Sequence, residues 1–137
     1  FENLRARLHH PGLDAHAAWF GQQHNEGLAG NLERRPDCHA TLEQLKQAGF
    51  YVSVVSNSDA DMLRVLIERG GLERLLDDWT SSEEARSCKP DQRFFEVALA
   101  KAGLRAEQVL FVGDSLEQDI HGAHAAGMDA ATVGFKM

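Results

Sequence analysis

Two carboxylates, Asp114 and Asp119, follow a run of apolar residues near the end of the chain. The run Val109–Val112 predicts a short buried strand, and the residues after Asp114 predict a helix that continues to Gly127. A carboxylate at the carboxyl end of a parallel strand lies where open α/β sheets bind ligands, so both side chains are expected to face one crevice. Oxygen donors of this kind suit Mg²⁺. The alternative is structural: Asp114 ends the strand and Asp119 favours a helix N-terminus.

Polar groups stand at two further places of the same kind. Ser56 and Asn57 follow an apolar, β-branched run, and Lys89 stands at the start of a predicted helix. Hydroxyls and helix-start N–H groups hold phosphate oxygens, and a lysine neutralises charge that builds on a transferring group. A cation at a helix start is unfavourable without an anionic partner, which favours a functional role for Lys89. Together these residues predict a site for a phosphate group and its metal.

The elements that must position these residues alternate along the chain. Periodicity, caps and glycine stops predict helices over residues 13–28, 37–48, 59–69 and 90–102, with Asp37 as an N-cap and Pro90 in a first helical turn. Strands are predicted over residues 50–55, 78–81, 109–112 and 130–133. Alternation of this kind indicates an α/β fold with a parallel sheet covered by helices on both faces.

Composition excludes several classes of protein. The 137 residues are 43% hydrophobic and 26% charged, with a net charge of −7, which argues against a nucleic-acid surface. The sequence contains no apolar run of the ~20 residues that a membrane helix needs. The two cysteines, Cys38 and Cys88, form no paired motif, so we expect free thiols and a cytoplasmic location.

Three separated segments together resemble the haloacid dehalogenase superfamily, in particular its phosphatases with a helical cap. Residues 54–58 are similar to its second motif, a hydrophobic strand ending in Ser or Thr. Residues 88–91 are similar to its third motif, which carries a lysine, and Gly113–Ser115 with Asp119 are similar to its fourth. The resemblance covers residues 37–135. It implies a Rossmann-like parallel sheet flanked by helices, with part of a helical cap.

The resemblance also implies a function and a role for each site residue. Ser56 would bind the phosphoryl oxygens, assisted by the backbone N–H of Asn57, and Lys89 would pair with both the nucleophile and the phosphate. Asp114 would ligate Mg²⁺, and Asp119 would ligate or orient it. The expected activity is Mg²⁺-dependent hydrolysis of a small phosphate ester through an aspartyl-phosphate, with Lys89 and Ser56 as the catalytic residues.

The first motif of the family, a strand running into D-x-D with the nucleophilic aspartate, is missing from this sequence. Asp59 and Asp61 have the right spacing but stand at a predicted helix start, beyond the second motif. In the family the missing strand lies between the strands that end at Val55 and Val112. We therefore expect these two strands not to pair directly, and a complementing segment, from a longer protein or from a neighbouring polypeptide chain, to fill the space.

The resemblance predicts two domains. Residues 1–34 are expected to be a remnant of the helical cap, and residues 35–137 an incomplete α/β core. Trp19 and Phe20 are expected to pack within the cap, with a place lining the substrate pocket as the alternative. The substrate itself cannot be named, because the cap selects it.

Two other functions remain open at this point. A 2-haloacid dehalogenase of the same superfamily would use an aspartate nucleophile on carbon and no metal; the paired carboxylates argue against it. A catalytically inactive binding or regulatory module would lack the first motif, and the retention of Ser56, Lys89 and both aspartates argues mildly against that. The partners expected are a small phosphorylated substrate and either a complementing segment or further copies of the chain, with no nucleic acid and no membrane.

Overall fold

The computed structural model describes residues 13–31, 33 and 35–134 of the chain. The chain divides into two compact units between residues 34 and 35. In the first unit, helix α1 spans Leu13–Gly30, as the sequence predicts. Trp19 on this helix is 60% exposed, so it is not packed within the described part of this unit, and its place in a complete cap stays a prediction. The side chain of Phe20 lies outside the described residues, and the assignment of this unit to a cap stays a prediction.

The second unit alternates helices and strands, which confirms the α/β class. Its elements are α2 (Cys38–Gln47), β1 (Ser53–Ser56), α3 (Ala60–Gly70), β2 (Asp78–Ser81), α4 (Ser82–Ala85), α5 (Gln92–Ala102), β3 (Leu110–Gly113), α6 (Gly122–Ala125) and β4 (Asp129–Thr132). A 3₁₀ turn at Ala106–Gln108 precedes β3, and a π-helical turn at Leu116–His121 leads into α6. Among the described residues, none of the helices combines the length and apolar character needed to cross a bilayer.

The four strands form two separate parallel pairs. β1 pairs with β2 from Ser53 opposite Asp78 to Ser56 opposite Ser81. β3 pairs with β4 from Leu110 opposite Asp129 onward. Within the described part of the chain, β1 and β3 are not hydrogen-bonded to each other, as the sequence led us to expect. Each pair therefore ends at an edge where another strand can be added.

One core cluster packs α5 and α6 against β3. Phe95 is 1% exposed and meets the ring of Phe111 edge-to-face, with the ring centroids 5.3 Å apart. Strand residues alternate between faces, so Leu110 and Val112 point away from this cluster and are 61% and 54% exposed. The prediction that Val109–Val112 is buried, with helices on both faces, is therefore wrong for one face of β3 in the described structure.

A second cluster packs α3 beside β2. Leu63 and Ile67 are buried on one face of α3, as its periodicity predicts, and they pack with Leu76. The strand predicted over residues 50–55 begins only at Ser53 and continues to Ser56. Phe50 and Tyr51, which were predicted to be part of a buried strand, precede it and are 60% and 42% exposed.

The side chain of Asp77 extends the pairing just before β1. Its Oδ2 accepts a hydrogen bond of 2.8 Å from the backbone N–H of Val52, and the Asp77 N–H donates to the Val52 carbonyl, also at 2.8 Å. Lys46 of α2 pairs with the other oxygen of Asp77. The turn before β2 thereby holds both the start of β1 and the end of α2.

Two helix starts differ from the predictions. Asp37 precedes α2, but its carboxylate pairs with Arg35 at 3.2 Å and makes no capping hydrogen bond. Asp91 is the N-cap of α5, accepting from the N–H of Arg93 at 2.9 Å, so Pro90 lies before the helix and not in its first turn. Lys89 therefore precedes α5 and does not stand in its first turn. The helix dipole is then not the reason that the Lys89 ammonium is paired with an anion.

Candidate active site

The π-helical turn after β3 directs Asp119 into the protein. Ser115 starts the turn: its carbonyl accepts from the N–H groups of Asp119 at 2.9 Å and Ile120 at 3.2 Å. The second of these bonds spans five residues, which is the π-helical pattern and is frequent at functional sites. Asp119 is 3% exposed as a result. Gly113 makes this placement possible, because a Cβ added there would lie 2.4 Å from the Asp119 carboxyl carbon.

Both carboxylate oxygens of Asp119 have partners. Oδ1 lies 2.6 Å from the ammonium nitrogen of Lys89. Oδ2 accepts from the backbone N–H groups of Asp114 at 3.1 Å and Ser115 at 3.0 Å. Burial raises the pKa of Asp119, but the hydrogen bond from Lys89 and the two backbone donors outweigh it, so the pKa is lowered below its ordinary value. Asp119 is therefore held as an anion.

Lys89 reaches Asp119 from the segment before α5. Its side chain is 13% exposed, and its Nζ lies 5.6 Å from the centroid of the Phe111 ring, at cation–π distance. Its backbone is held from the far side by Asn57, whose Oδ1 accepts from the Lys89 N–H at 2.8 Å and whose Nδ2 donates to the Lys89 carbonyl at 3.1 Å. The ammonium is thus fixed between an aromatic face and a carboxylate.

Asn57 and Asp114 follow the carboxyl ends of β1 and β3. A continuous hydrogen-bonded path joins them: the Asn57 side chain holds Lys89, Lys89 bonds Asp119, and Asp119 accepts from the Asp114 N–H. Ser56, the last residue of β1, is half-buried at one end of this path. The network therefore links the Asn57 side chain, Lys89, Asp119 and the backbone N–H of Asp114 at the carboxyl ends of the two strands. Ser56 is joined to it only as the chain neighbour of Asn57.

The two aspartates do not present equivalent carboxylates. Asp114 is exposed, whereas both Asp119 oxygens are engaged by protein donors. Within the described ranges, no three His, Cys, Asp or Glu side chains converge as metal ligands. Mg²⁺ commonly uses one or two carboxylates and fills its other positions with water and substrate oxygens. Asp114 fits that pattern as a direct ligand, and Asp119 fits the orienting role better than the ligating one.

Residues 4–133 match the family profile described as haloacid dehalogenase-like hydrolase. The chain belongs to this family. A solved structure titled as a haloacid dehalogenase-like phosphatase from Thermococcus onnurineus superimposes with a TM-score of 0.76 at 27% identity, over 81% of this chain and 51% of that one.

Curated relatives of this chain carry two kinds of activity in their names. (S)-2-haloacid dehalogenase 4A of Burkholderia cepacia is 32% identical over 74% of this chain and 44% of its own length. Phosphoglycolate phosphatase of Pasteurella multocida is 34% identical over 79% of this chain and 48% of its own length. The chain thus spans about half the length of these relatives. Overall similarity does not separate the two chemistries, so the site residues must.

Sequence reasoning missed three contributors to the site. Gly113 was predicted as the end of a strand and as part of the fourth motif, but not as the residue whose lack of a side chain admits Asp119. The Asn57 side chain, expected to act through its backbone alone, holds Lys89, and Gln118 accepts from Asn57 Nδ2 at 3.4 Å. For Gly113, the G-D-x₄-D spacing was the available signal. For Asn57 and Gln118 no local pattern gave one, because their partners lie 32 and 61 residues away in the chain.

Proposed function

We propose that this family member is a Mg²⁺-dependent phosphohydrolase that acts on a small phosphate ester through an aspartyl-phosphate. The observation that carries the proposal is the buried Lys89–Asp119 pair, which links the carboxyl ends of β1 and β3. The desolvated ammonium of Lys89, at the carboxyl ends of these strands, favours a substrate whose negative charge increases or shifts during the reaction. Phosphoryl transfer is such a reaction, and its catalysis consists mainly of positioning and charge stabilisation.

Each site residue has a role in this proposal. The Ser56 hydroxyl and the Asn57 backbone N–H bind phosphoryl oxygens beside the end of β1. Lys89 pairs with the nucleophile and the phosphoryl group, while Asp119 keeps its ammonium in place. Asp114 ligates Mg²⁺ directly and Asp119 orients the ligand loop through the Asp114 and Ser115 amides. When bound, Mg²⁺ supplies charge neutralisation for the phosphoryl oxygens.

The nucleophile is proposed to come from a strand between β1 and β3. Asp59 and Asp61, the D-x-D pair of this sequence, lie at the N-cap and in the first turn of α3, and Asp61 pairs there with Arg64 at 3.4 Å. They are thus part of a helix start and do not end a strand. The unpaired edges of β1 and β3 support a further strand between them, carrying an aspartate at its carboxyl end. A segment of the same protein is the preferred source, and a neighbouring polypeptide chain the alternative.

Residues 1–34 are proposed to be part of the helical cap of this enzyme. The separation of this unit from the core at residues 34 and 35 supports the assignment. Both cysteines of the core are free thiols, which supports the predicted cytoplasmic location. The cap is the part of the enzyme that would select the phosphate ester.

A 2-haloacid dehalogenase is the second candidate. It is favoured by dehalogenase relatives at 32% and 35% identity. The pairing of Asp119 with Lys89 also favours it, because of the two aspartates only Asp114 then has a carboxylate free for a metal. The phosphatase stays preferred because an exposed carboxylate beside the anion site has a use with Mg²⁺ and repels a 2-haloacid without it.

One assay separates the candidates. The protein encoded by the complete gene is purified, stripped of metal with EDTA, and tested for phosphate release from a panel of small phosphate esters and for chloride release from 2-chloropropionate, with and without Mg²⁺. Phosphate release that requires Mg²⁺ supports the proposal. Chloride release that is indifferent to Mg²⁺ replaces it with the dehalogenase, and neither release in a folded protein favours the inactive binding module.

A further inference from the structure

The Asn57 side chain matches the backbone of one residue at both of its polar ends. Its oxygen accepts from the Lys89 N–H at 2.8 Å, and its nitrogen donates to the Lys89 carbonyl at 3.1 Å. A reversed amide would oppose donor to donor and acceptor to acceptor, so these contacts fix its orientation. Because Lys89 precedes the N-cap of α5, the hydrogen bonds of that helix do not hold it.

The same side chain also contacts the turn that carries Asp119. Asn57 Nδ2 lies 3.4 Å from Oε1 of Gln118, the residue before Asp119. An amide nitrogen has two hydrogens, so it can serve the Lys89 carbonyl and Gln118 together. Asn57 is therefore bonded to the backbone of one member of the ion pair and to the chain neighbour of the other.

We propose that Asn57 is a positioning residue that sets the Lys89 ammonium through the Lys89 backbone. The proposal rests on the proposed function, in which Lys89 stabilises charge on the phosphoryl group. It differs from the expected role of Asn57, which is to bind phosphate through its own N–H. A side chain that merely joins β1 to α5 would stabilise the fold but would not act through Lys89.

A double-mutant cycle separates positioning from stability. In the complete protein, Asn57→Ala is expected to lower kcat by roughly 10²-fold, the scale of a ~1 Å misplacement, and to change KM much less. In the Lys89→Ala background, the same change is expected to lower kcat by less than about twofold, because the group that it positions is gone. An equal loss in both backgrounds would overturn the proposal.

Two further variants distinguish the loss of positioning from a general effect of removing a side-chain amide. Asn57→Asp keeps the shape and the acceptor but places an oxygen against the Lys89 carbonyl, so kcat is expected to fall even where the fold is kept. Gln108→Ala is the matched control, because it removes an exposed carboxamide that accepts a backbone hydrogen bond of 3.0 Å from Arg105 N. It is expected to leave kcat unchanged. A full wild-type kcat in Asn57→Asp, or an Asn57→Ala loss no larger than that of Gln108→Ala, would overturn the proposal.

Lysine labelling tests the positioning without any turnover. With limiting acetylating reagent, mass spectrometry gives the labelling rate of Lys89 relative to Lys101, which is held by Asp78 at 3.2 Å and Glu84 at 2.9 Å and serves as an internal reference. Asn57→Ala is expected to raise this ratio several-fold, and Gln108→Ala is not. An unchanged ratio would refute the positioning. If the wild-type protein releases no phosphate, the proposed function fails, while this ratio still decides the role of Asn57.

Discussion

The Lys89 ammonium lies 2.6 Å from Asp119 Oδ1, with only 13% of the lysine and 4% of the aspartate side chain exposed. Most exposed ion pairs contribute little, but removal of one partner from a buried pair leaves an uncompensated charge. This pair also closes the network between the ends of β1 and β3. It is therefore the place where changes should affect both stability and activity.

Lys89→Ala is expected to lower kcat by at least ~10²-fold, comparable to the loss of one preorganised charge-stabilising group. Lys46→Ala is the matched control, since Lys46 is also paired with an aspartate but stands at the end of α2 and not at the strand tips. Steady-state kinetics of both variants in the complete protein check this. A loss below threefold for Lys89→Ala would remove Lys89 from the catalytic machinery.

The Asp119 carboxylate should make stability depend on pH. Its pKa is lowered in the folded state, because the donors from Lys89 and the backbone outweigh burial. A lowered pKa contributes stability above the unfolded-state value and loses it as pH falls through the folded value. The Tm advantage over Asp119→Asn is therefore expected to be full above about pH 4 and to shrink below it.

Asp119→Asn breaks the ion pair between Lys89 and Asp119. It should lower the free energy of unfolding by roughly 3–5 kcal/mol near neutral pH, the range for a buried ion pair that loses one partner. Thermal unfolding of the wild-type protein and of Asp119→Asn, between neutral and strongly acidic pH, measures the difference in Tm. A Tm difference that stays constant over the whole range would show that Asp119 does not carry this stabilisation as an anion.

Gly113→Ala should disturb Asp119 directly. The added Cβ would lie 2.4 Å from both the carboxyl carbon and Oδ2 of Asp119, so the carboxylate or the backbone beside it must shift from the present arrangement. A loss of about 1–3 kcal/mol in stability, typical of overpacking, is expected together with reduced activity. Gly21→Ala in α1 is the control, because its Cβ would meet no atom within 4 Å and alanine favours helices. Equal effects of the two substitutions on Tm and activity would contradict the account.

Asp114→Asn tests the metal ligand. Asp114 is the exposed carboxylate at the end of β3, so its neutralisation should raise the Mg²⁺ concentration needed for half-maximal activity and leave the fold intact. Asp129→Asn is the matched control, because Asp129 lies at the amino end of β4, opposite Leu110 and away from the carboxyl end of β3 that carries Asp114. Titration of activity with Mg²⁺ distinguishes them. Unchanged activity of Asp114→Asn at limiting Mg²⁺ would reject Asp114 as a ligand.

Sequence patterns located the elements and the strand tips of this fold. Strand β2 has the predicted bounds, and α3 lies within one residue of the predicted range, because both patterns are local. Burial on the faces of β3 was not predictable from its composition. Phe111, Leu110 and Val112 are all apolar, and only the position of α5 decides that Phe111 is buried.

The site residues were found by type and spacing, but their orientation was not. Nothing in the sequence distinguishes Asp114 from Asp119 as the exposed carboxylate. The difference comes from the π-helical turn, whose extra residue directs Asp119 inward over Gly113. The contact between Asn57 and Lys89 likewise depends on how α5 approaches β1, which is tertiary information.

An aspartate between β1 and β3 is expected to become phosphorylated during turnover. The most direct measurement is peptide mass spectrometry of the complete protein, acid-quenched while it hydrolyses a phosphate ester in Mg²⁺. The account predicts a phosphoryl adduct on an aspartate that directly follows an apolar strand and is not among the aspartates of the present sequence. An adduct on Asp114 or Asp59, or hydrolysis without any adduct under the quench conditions that preserve acyl phosphates, would contradict it.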